Sequence, residues 1–147
     1  MSRAARVSLL DVNMLVALFD PDHLHHEIAH DWFADNHAAG WATCPLTENG
    51  FVRILGHKNY PNFKGGTEAA RDVLQKICLL PGHQFWPDSV SVRDRTVLPG
   101  LPVSKHITDC YLLALAVERG GRFATLDHAV DASKVRGGAK ALLTIPR

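Results

Sequence analysis

The segment from Leu9 to Asp20 constrains the fold most, because an apolar strand runs directly into an almost wholly apolar helix. Residues 7–10 are typical of a strand, residues 12–19 are nearly all apolar, and Asp11 and Asn13 interrupt the run. A carboxylate at the exit of a buried strand costs free energy unless a cation or a hydrogen-bond donor meets it. In open α/β sheets, ligands bind at the carboxyl ends of the strands. Asp11 is therefore either a helix cap, a role that Asp favours, or part of a functional site.

Strand and helix patterns alternate along the rest of the chain, which predicts an α/β fold with a parallel sheet. Beyond the first strand, strands are predicted at residues 41–44, 122–126 and 141–145, with an edge strand at 83–86. Helices are predicted at residues 12–19, 25–36, 46–55, 67–79 and 104–119. Thr67 is the expected N-cap of the fourth helix, and Gly137-Gly138 is expected to close a short helical or irregular piece. Residues 88–98 fit either a short helix or a loop.

Length, charge and cysteine content narrow the class of protein. The 147 residues fit one domain, expected to span residues 1–147, and the net charge of +1 lacks the basic character of a non-specific DNA binder. Cys44, Cys78 and Cys110 are scattered, so they indicate neither a zinc motif nor a disulfide framework, as expected in a reducing compartment. The apolar N-terminal run is too short to span a bilayer and lacks a convincing cleavage site. We therefore expect a cytoplasmic protein without a membrane segment.

Four acidic residues stand at strand exits or on apolar helix faces. Asp11 and Asp127 follow predicted strands. Glu48 and Asp109 each share a helix side with apolar residues, because positions three, four and seven residues apart face the same way. Buried Asp and Glu are uncommon unless they are paired or bound to a cation. These four residues are therefore candidates for one site.

Each of these carboxylates also has an ordinary explanation. Asp109 could cap its helix, and Glu48 could meet Arg53 or Arg122. Four together, with no matching cluster of Lys or Arg nearby in the sequence, indicate a divalent metal ion instead. An all-oxygen site suits Mg²⁺ or Mn²⁺ better than zinc. Such ions bind phosphate oxygens and activate water, so the pattern predicts phosphodiester hydrolysis.

The chain resembles the PIN domains, and among them the VapC-type ribonuclease toxins. The resemblance extends over residues 7–127, is weak over residues 56–102, and implies a five-stranded parallel sheet with helices on both faces. The matching segments share their order and spacing with the family: Leu10-Asp11-Val12-Asn13 with Leu15, His23 to Phe33 with Trp32, Thr47 to Arg53, and Ile107-Thr108-Asp109 through Ala124-Thr125-Leu126-Asp127.

The resemblance also implies roles for individual residues. Asn13 and Thr125 would support the site, and Arg53 is a candidate for contact with backbone phosphate or else an ordinary surface arginine. The residues that would bind Mg²⁺ or Mn²⁺ and position the attacking water are Asp11, Glu48, Asp109 and Asp127.

The same resemblance implies partners. Toxin members commonly dimerise and are silenced by a small antitoxin. The expected function is thus a Mg²⁺- or Mn²⁺-dependent endoribonuclease, the toxin of a type II toxin–antitoxin pair, with RNA, an antitoxin and a second copy as partners. Part of the interface is expected on an apolar surface around Leu15, Phe19, Phe51, Val52 and Leu55.

A zinc-protease pattern, H-E-x-x-H, is present at His26-Glu27-Ile28-Ala29-His30. A catalytic zinc needs a third protein ligand. No later Glu or His stands in a convincing context. We therefore interpret these histidines as part of a solvated stripe.

Two further functions are alternatives to the nuclease. Asp11 and Asn13 resemble the D-x-D motif of haloacid-dehalogenase-type phosphatases, in which the first Asp is the nucleophile, but the second acid is absent and Lys105 matches that family's later Lys only weakly. The other alternative is a catalytically inactive PIN-like module that only binds protein. The four acidic residues argue against it, because a lost activity removes any need to hold like charges together.

Overall fold

The strands of the computed structural model form one parallel sheet. They are β1 (Ser8–Leu10), β2 (Trp41–Thr43), β3 (His83–Phe85), β4 (Arg122–Thr125) and β5 (Leu142–Thr144). Their order across the sheet is β3-β2-β1-β4-β5, and every neighbouring pair is parallel. The structure describes residues 6–146, so the outermost ends of the expected 1–147 domain lie outside the described residues. The predicted α/β fold with a five-stranded parallel sheet is confirmed.

Helices connect the strands. They are α1 (Val12–Phe19), α2 (His26–Asn36), α3 (Pro45–Leu55), α4 (Gly66–Ile77), α5 (Ile107–Glu118) and α6 (Gly138–Ala141). Short 3₁₀ turns cover His37–Ala39, Ser104–His106 and Ala132–Lys134. Within residues 6–146, no helix is both long and apolar enough to cross a membrane.

The two faces of the sheet bury separate sets of apolar side chains. Leu9 and Phe123 pack with the buried residues of α5, whereas their chain neighbours Leu10 and Ala124 pack with those of α1 and α3. Successive side chains of a strand point to opposite faces, so this separation follows directly from the strand geometry. Helices therefore cover both faces of the sheet, as expected.

Two local predictions need correction. The helix α4 begins at Gly66 with Gly65 as its cap, rather than after Thr67, because Gly65 adopts a φ of 109° that a residue with a Cβ rarely takes. Gly137, with a φ of 73°, precedes α6, so the Gly137-Gly138 pair opens a helix instead of closing one. Of the two alternatives predicted for residues 88–98, the loop is confirmed, because these residues form turns and irregular backbone.

The expected apolar surface around α1 and α3 is largely absent. Leu15, Phe51 and Leu55 are each 0% exposed, while Phe19 and Val52 are partly buried against the same core. The reason is that α2 packs on α1 and α4 packs on α3, which encloses the apolar sides of both helices. On α3 only Leu46 and Ile54 are exposed among the large apolar side chains, each at 37%. The more exposed ones lie elsewhere and include Leu24, Leu79, Phe85, Leu101 and Val103.

Candidate functional site

The cavity that holds most of the predicted acidic residues opens where β1 and β4 end. Asp11 follows β1 directly, and Asp127 lies two residues beyond β4. Because these parallel strands are neighbours in the centre of the sheet, their carboxyl ends meet at one edge. Asp11 and Asp127 line a cavity of about 320 Å³, and Asp109 reaches the same cavity from the first turn of α5.

Burial and neighbouring carboxylates raise the pKa of Asp11 and of Asp109 in this cavity. Burial, the charges of Asp11 and Asp127, and a hydrogen bond to Asp127 together raise the pKa of Asp109 to about 7. Burial also raises the pKa of Asp11, although hydrogen bonds from Thr125 and Val12 oppose the effect. Without a cation, Asp109 thus retains a proton well above the usual range of a carboxyl.

Asp11 both caps α1 and lines the aspartate cavity. The backbone N–H of Val12 donates a hydrogen bond to its Oδ1 at 2.7 Å, which makes Asp11 the N-cap of α1. The hydroxyl of Thr125 donates to its Oδ2 at 2.6 Å. Asp11 is only 6% exposed, so these two bonds fix the direction of a buried carboxylate at the floor of the cavity.

Asn13 and Thr125 connect the two strand exits. The Asn13 side-chain amide donates to Thr125 Oγ1 at 3.3 Å and accepts from the backbone N–H of Leu126 at 3.2 Å. The backbone N–H of Asp127 donates to Thr125 Oγ1 at 3.0 Å. This network therefore links the end of β4, including Asp127, to the start of α1.

Glu48, the fourth predicted acidic residue, does not lie in the cavity with the three aspartates. Its Oε2 accepts a hydrogen bond from the Thr43 hydroxyl at 2.7 Å, and Glu48 belongs to a separate group with Cys78 and His83. Gly50 is the residue of α3 that packs on α1, and a Cβ at that position would lie 2.7 Å from a methyl carbon of Val12. Glu48 does not line the cavity that Asp11, Asp109 and Asp127 share.

Three residues of the site were not found by sequence reasoning. His106 precedes α5 and offers a ring nitrogen within 4.8 Å of carboxylate oxygens of Asp109 and Asp127. Its position three residues before Asp109 is the pattern that could have indicated it, because residues at that spacing are neighbours on a helix. His23 and Tyr60 line the same cavity, and they come from irregular segments that carry no periodic pattern.

Arg53 is exposed beside the aspartate cavity. It lines a neighbouring cavity of about 280 Å³, together with residues of the loop that follows α3. Ile54 and Tyr60 line both cavities, which makes them adjacent parts of one surface. Arg53 is thus positioned at the side of the acidic site without contacting it.

The H-E-x-x-H pair is separate from this site. The His26 and His30 rings are 5.7 Å apart between centroids, and His26 Nδ1 lies 2.7 Å from the backbone oxygen of Ala17. Glu27 is exposed, and within residues 6–146 no third Cys, His, Asp or Glu joins the pair in a metal-binding arrangement. The arrangement lacks the third ligand that a catalytic zinc requires.

The chemistry of the aspartate cavity fits a divalent cation. Carboxylate oxygens are the preferred ligands of Mg²⁺ and Mn²⁺, and an imidazole nitrogen is acceptable to Mn²⁺. Like charges held together and partly buried destabilise one another, as the raised pKa of Asp109 indicates. A cation at this position would offset that repulsion.

Comparisons with known proteins agree on one family. The model of the PIN domain family matches residues 8–135. Ribonuclease VapC44 of Mycobacterium tuberculosis is 42% identical over 135 residues, which cover 90% of this chain and 94% of that protein. Ribonuclease VapC39 of the same organism is 40% identical over 137 residues, covering 92% and 99%. The crystal structure of M. tuberculosis VapC20, described as a sarcin-ricin loop cleaving toxin, has a TM-score of 0.60 at 13% identity over 88% of this chain and 96% of that one, a likeness of fold.

Proposed function

Since this chain belongs to the PIN domain family, we propose that it is a Mg²⁺- or Mn²⁺-dependent endoribonuclease and the toxin of a type II toxin–antitoxin pair. Its relatives VapC44 and VapC39 are named ribonucleases and match it over nearly their whole length. The observation that carries the proposal is the convergence of Asp11, Asp109 and Asp127 on one cavity at the carboxyl ends of β1 and β4.

In this proposal the ion is held by the three aspartates. Bound there, it would neutralise phosphate charge, lower the pKa of the attacking water and stabilise the leaving oxygen. Thr125 orients the Asp11 carboxylate, and hydrogen bonds of this kind tune ligand geometry. A ring nitrogen of His106 could serve as an additional metal ligand beside Asp109 and Asp127. Glu48, the fourth ligand implied by resemblance, lies outside the cavity, so the proposal does not depend on it.

The RNA would lie across the two adjoining cavities. Arg53, which lines the second cavity, is the proposed contact for a backbone phosphate, and phosphate contacts position nucleic acid without reading its sequence. His23 and Tyr60 offer flat rings on which unpaired bases stack in many RNA complexes. With a net charge of only +1, the protein depends on such local contacts and on the metal ion to hold RNA.

A small antitoxin and a second copy of the chain are the proposed protein partners. The exposed apolar side chains of the described residues, such as Leu101, Val103 and Phe85, are available for burial in such interfaces. Induced expression is expected to arrest bacterial growth, and coexpression of the antitoxin to relieve the arrest. Unimpaired growth of cells that contain soluble, metal-competent protein would contradict the toxin role.

A substrate comparison separates the proposed activity from its alternatives. Purified protein should cleave RNA in the presence of Mg²⁺ or Mn²⁺, and the cleavage should stop when EDTA is added. A small phosphate monoester should remain intact. A haloacid-dehalogenase-type phosphatase would instead hydrolyse the monoester and trap a phosphoryl group on Asp11. An inactive binding module would do neither, and RNA cleavage that persists in excess EDTA would exclude the metal-dependent reaction.

Thr125→Val is expected to weaken Mn²⁺ binding by about 10- to 100-fold, because a hydrogen bond that orients a metal ligand has effects of this size. The change removes the donor to Asp11 and the acceptor for Asn13 and the Asp127 N–H. Thr125→Ser keeps the hydroxyl and is the matched control. Calorimetric titration with Mn²⁺ measures both, and equal affinity of the Val variant and the unaltered protein would refute the role of this hydroxyl.

The double variant His26→Ala/His30→Ala is expected to retain RNA cleavage within about twofold, because these side chains lie outside the aspartate cavity. Loss of the Ala17 contact should cost about 1 kcal/mol of stability at most. Cleavage assays and thermal unfolding measure the two effects. Loss of activity together with release of stoichiometric zinc would support the protease-like site instead.

A further inference from the structure

A second group of side chains that could hold a metal ion lies outside the aspartate cavity. Glu48 comes from α3, Cys78 caps the C-terminus of α4, and His83 is the first residue of β3. One ligand atom of each lies within 4.8 Å of the others, and all three residues are partly buried. Elements distant in sequence therefore bring a carboxylate, a thiol and an imidazole to one point.

Thr43 on β2 holds this group together. Its hydroxyl donates to Glu48 Oε2 at 2.7 Å and lies 2.8 Å from His83 Nε2. Thr43 is fully buried, so its hydroxyl is a fixed hydrogen-bond partner for the side chains of Glu48 and His83. Side chains held in place by a buried hydroxyl lose little further freedom when they bind a ligand.

The composition of the group selects a different ion from that of the aspartate cavity. Zinc is bound in proteins by Cys sulfur, His nitrogen and carboxylate oxygen, whereas Mg²⁺ prefers oxygen alone. A thiolate and a carboxylate together also match the two positive charges of the ion. We propose that Glu48, Cys78 and His83 form a zinc site that is separate from the aspartate cavity.

This site would join three elements at the edge of the sheet. The strand β3 is the last strand on its side and has three residues, of which Gln84 and Phe85 are exposed. Zinc would tie β3 and the end of α4 to α3, and so stabilise an edge that few apolar contacts secure. The site also accounts for the half-buried carboxylate of Glu48. The proposed zinc site goes beyond the proposed ribonuclease activity, and zinc binding does not require that activity.

Cobalt replacement tests the site directly. The chelator-stripped protein receives one equivalent of Co²⁺ in excess Mg²⁺, which would occupy the aspartate cavity. We expect a thiolate-to-cobalt charge-transfer band in the near ultraviolet, displaced by one equivalent of zinc. In Cys78→Ser the band should disappear and zinc affinity should fall by about 100-fold or more, since thiolate is the strongest of the three ligands.

Two matched controls identify the ligands. Cys110→Ser changes a buried cysteine outside the group, and His26→Ala/His30→Ala removes the histidine pair on α2; both should keep the band. His83→Gln, which retains a polar partner for Thr43, should bind zinc at least tenfold more weakly, and it serves as the test if Cys78→Ser does not fold. Absence of the band in the unaltered protein, its persistence in Cys78→Ser, or full zinc affinity in His83→Gln would overturn the proposal.

Discussion

Asp109→Asn is expected to lower the rate of RNA cleavage by at least about 100-fold while leaving the fold intact. Asparagine has nearly the same shape but no charge, so it cannot contribute to neutralising a divalent ion. Metal-ion catalysis is worth several kcal/mol, and about 1.4 kcal/mol corresponds to a tenfold change in rate. Asp109 lies at the centre of the repulsion among the aspartates, so its removal also relieves strain.

The measurement is single-turnover cleavage of an end-labelled RNA in saturating Mg²⁺, with circular dichroism to verify folding. Asp72→Asn is the matched control, because Asp72 is an exposed residue of α4 outside the cavity. It should cleave at the rate of the unaltered protein. A folded Asp109→Asn protein that cleaves within threefold of that rate would exclude Asp109 from the catalytic site.

Without divalent metal, the acidic site is expected to destabilise the protein progressively as the pH rises from about 4 to about 7. Asp109 has a folded-state pKa of about 7, while an unfolded Asp titrates near about 3.9. A raised folded-state pKa gives stability that is complete below the unfolded value and is lost as pH rises through the folded value. The raised pKa of Asp11 acts in the same direction.

The comparison with Asp109→Asn isolates this contribution. In EDTA at pH 8, the variant should unfold at a temperature equal to or above that of the unaltered protein, and the difference should vanish near pH 4. Saturating Mn²⁺, at 100 times its Kd, should stabilise the unaltered protein by about 2.7 kcal/mol, or roughly 5–10 °C, and the variant much less. A variant that is clearly less stable in EDTA at neutral pH, with Mn²⁺ shifting neither protein, would make Asp109 a helix cap without a metal role.

The sequence was sufficient to predict the five strands and the five longer helices, and why Asp11 and Asp127 meet. Both follow apolar strands, and the carboxyl ends of neighbouring parallel strands share an edge. Asp109 could be added because its spacing places it on the inner side of a helix that is apolar almost all round. These arguments depend only on local periodicity, which the sequence contains.

Contacts between elements were harder to predict. Periodicity placed Glu48 on an inward side of α3, but that side meets Thr43 and His83 of the sheet rather than α1. Helix spacing indicates which residues share a side and not which element lies opposite. Tyr60 reaches the cavity from an irregular loop, and the burial of Phe51 depends on the packing of α4 on α3. None of these contacts has a local pattern.

The measurement that tests the central claim most directly is the anomalous diffraction of crystals soaked in Mn²⁺. The claim is that Asp11, Asp109 and Asp127 hold the ion that supports RNA cleavage. It predicts an anomalous peak within bonding distance of these three carboxylates, which disappears in Asp109→Asn crystals soaked in the same way. A fully soaked crystal with no peak in the aspartate cavity, or with Mn²⁺ beside Glu48 alone, would contradict the claim.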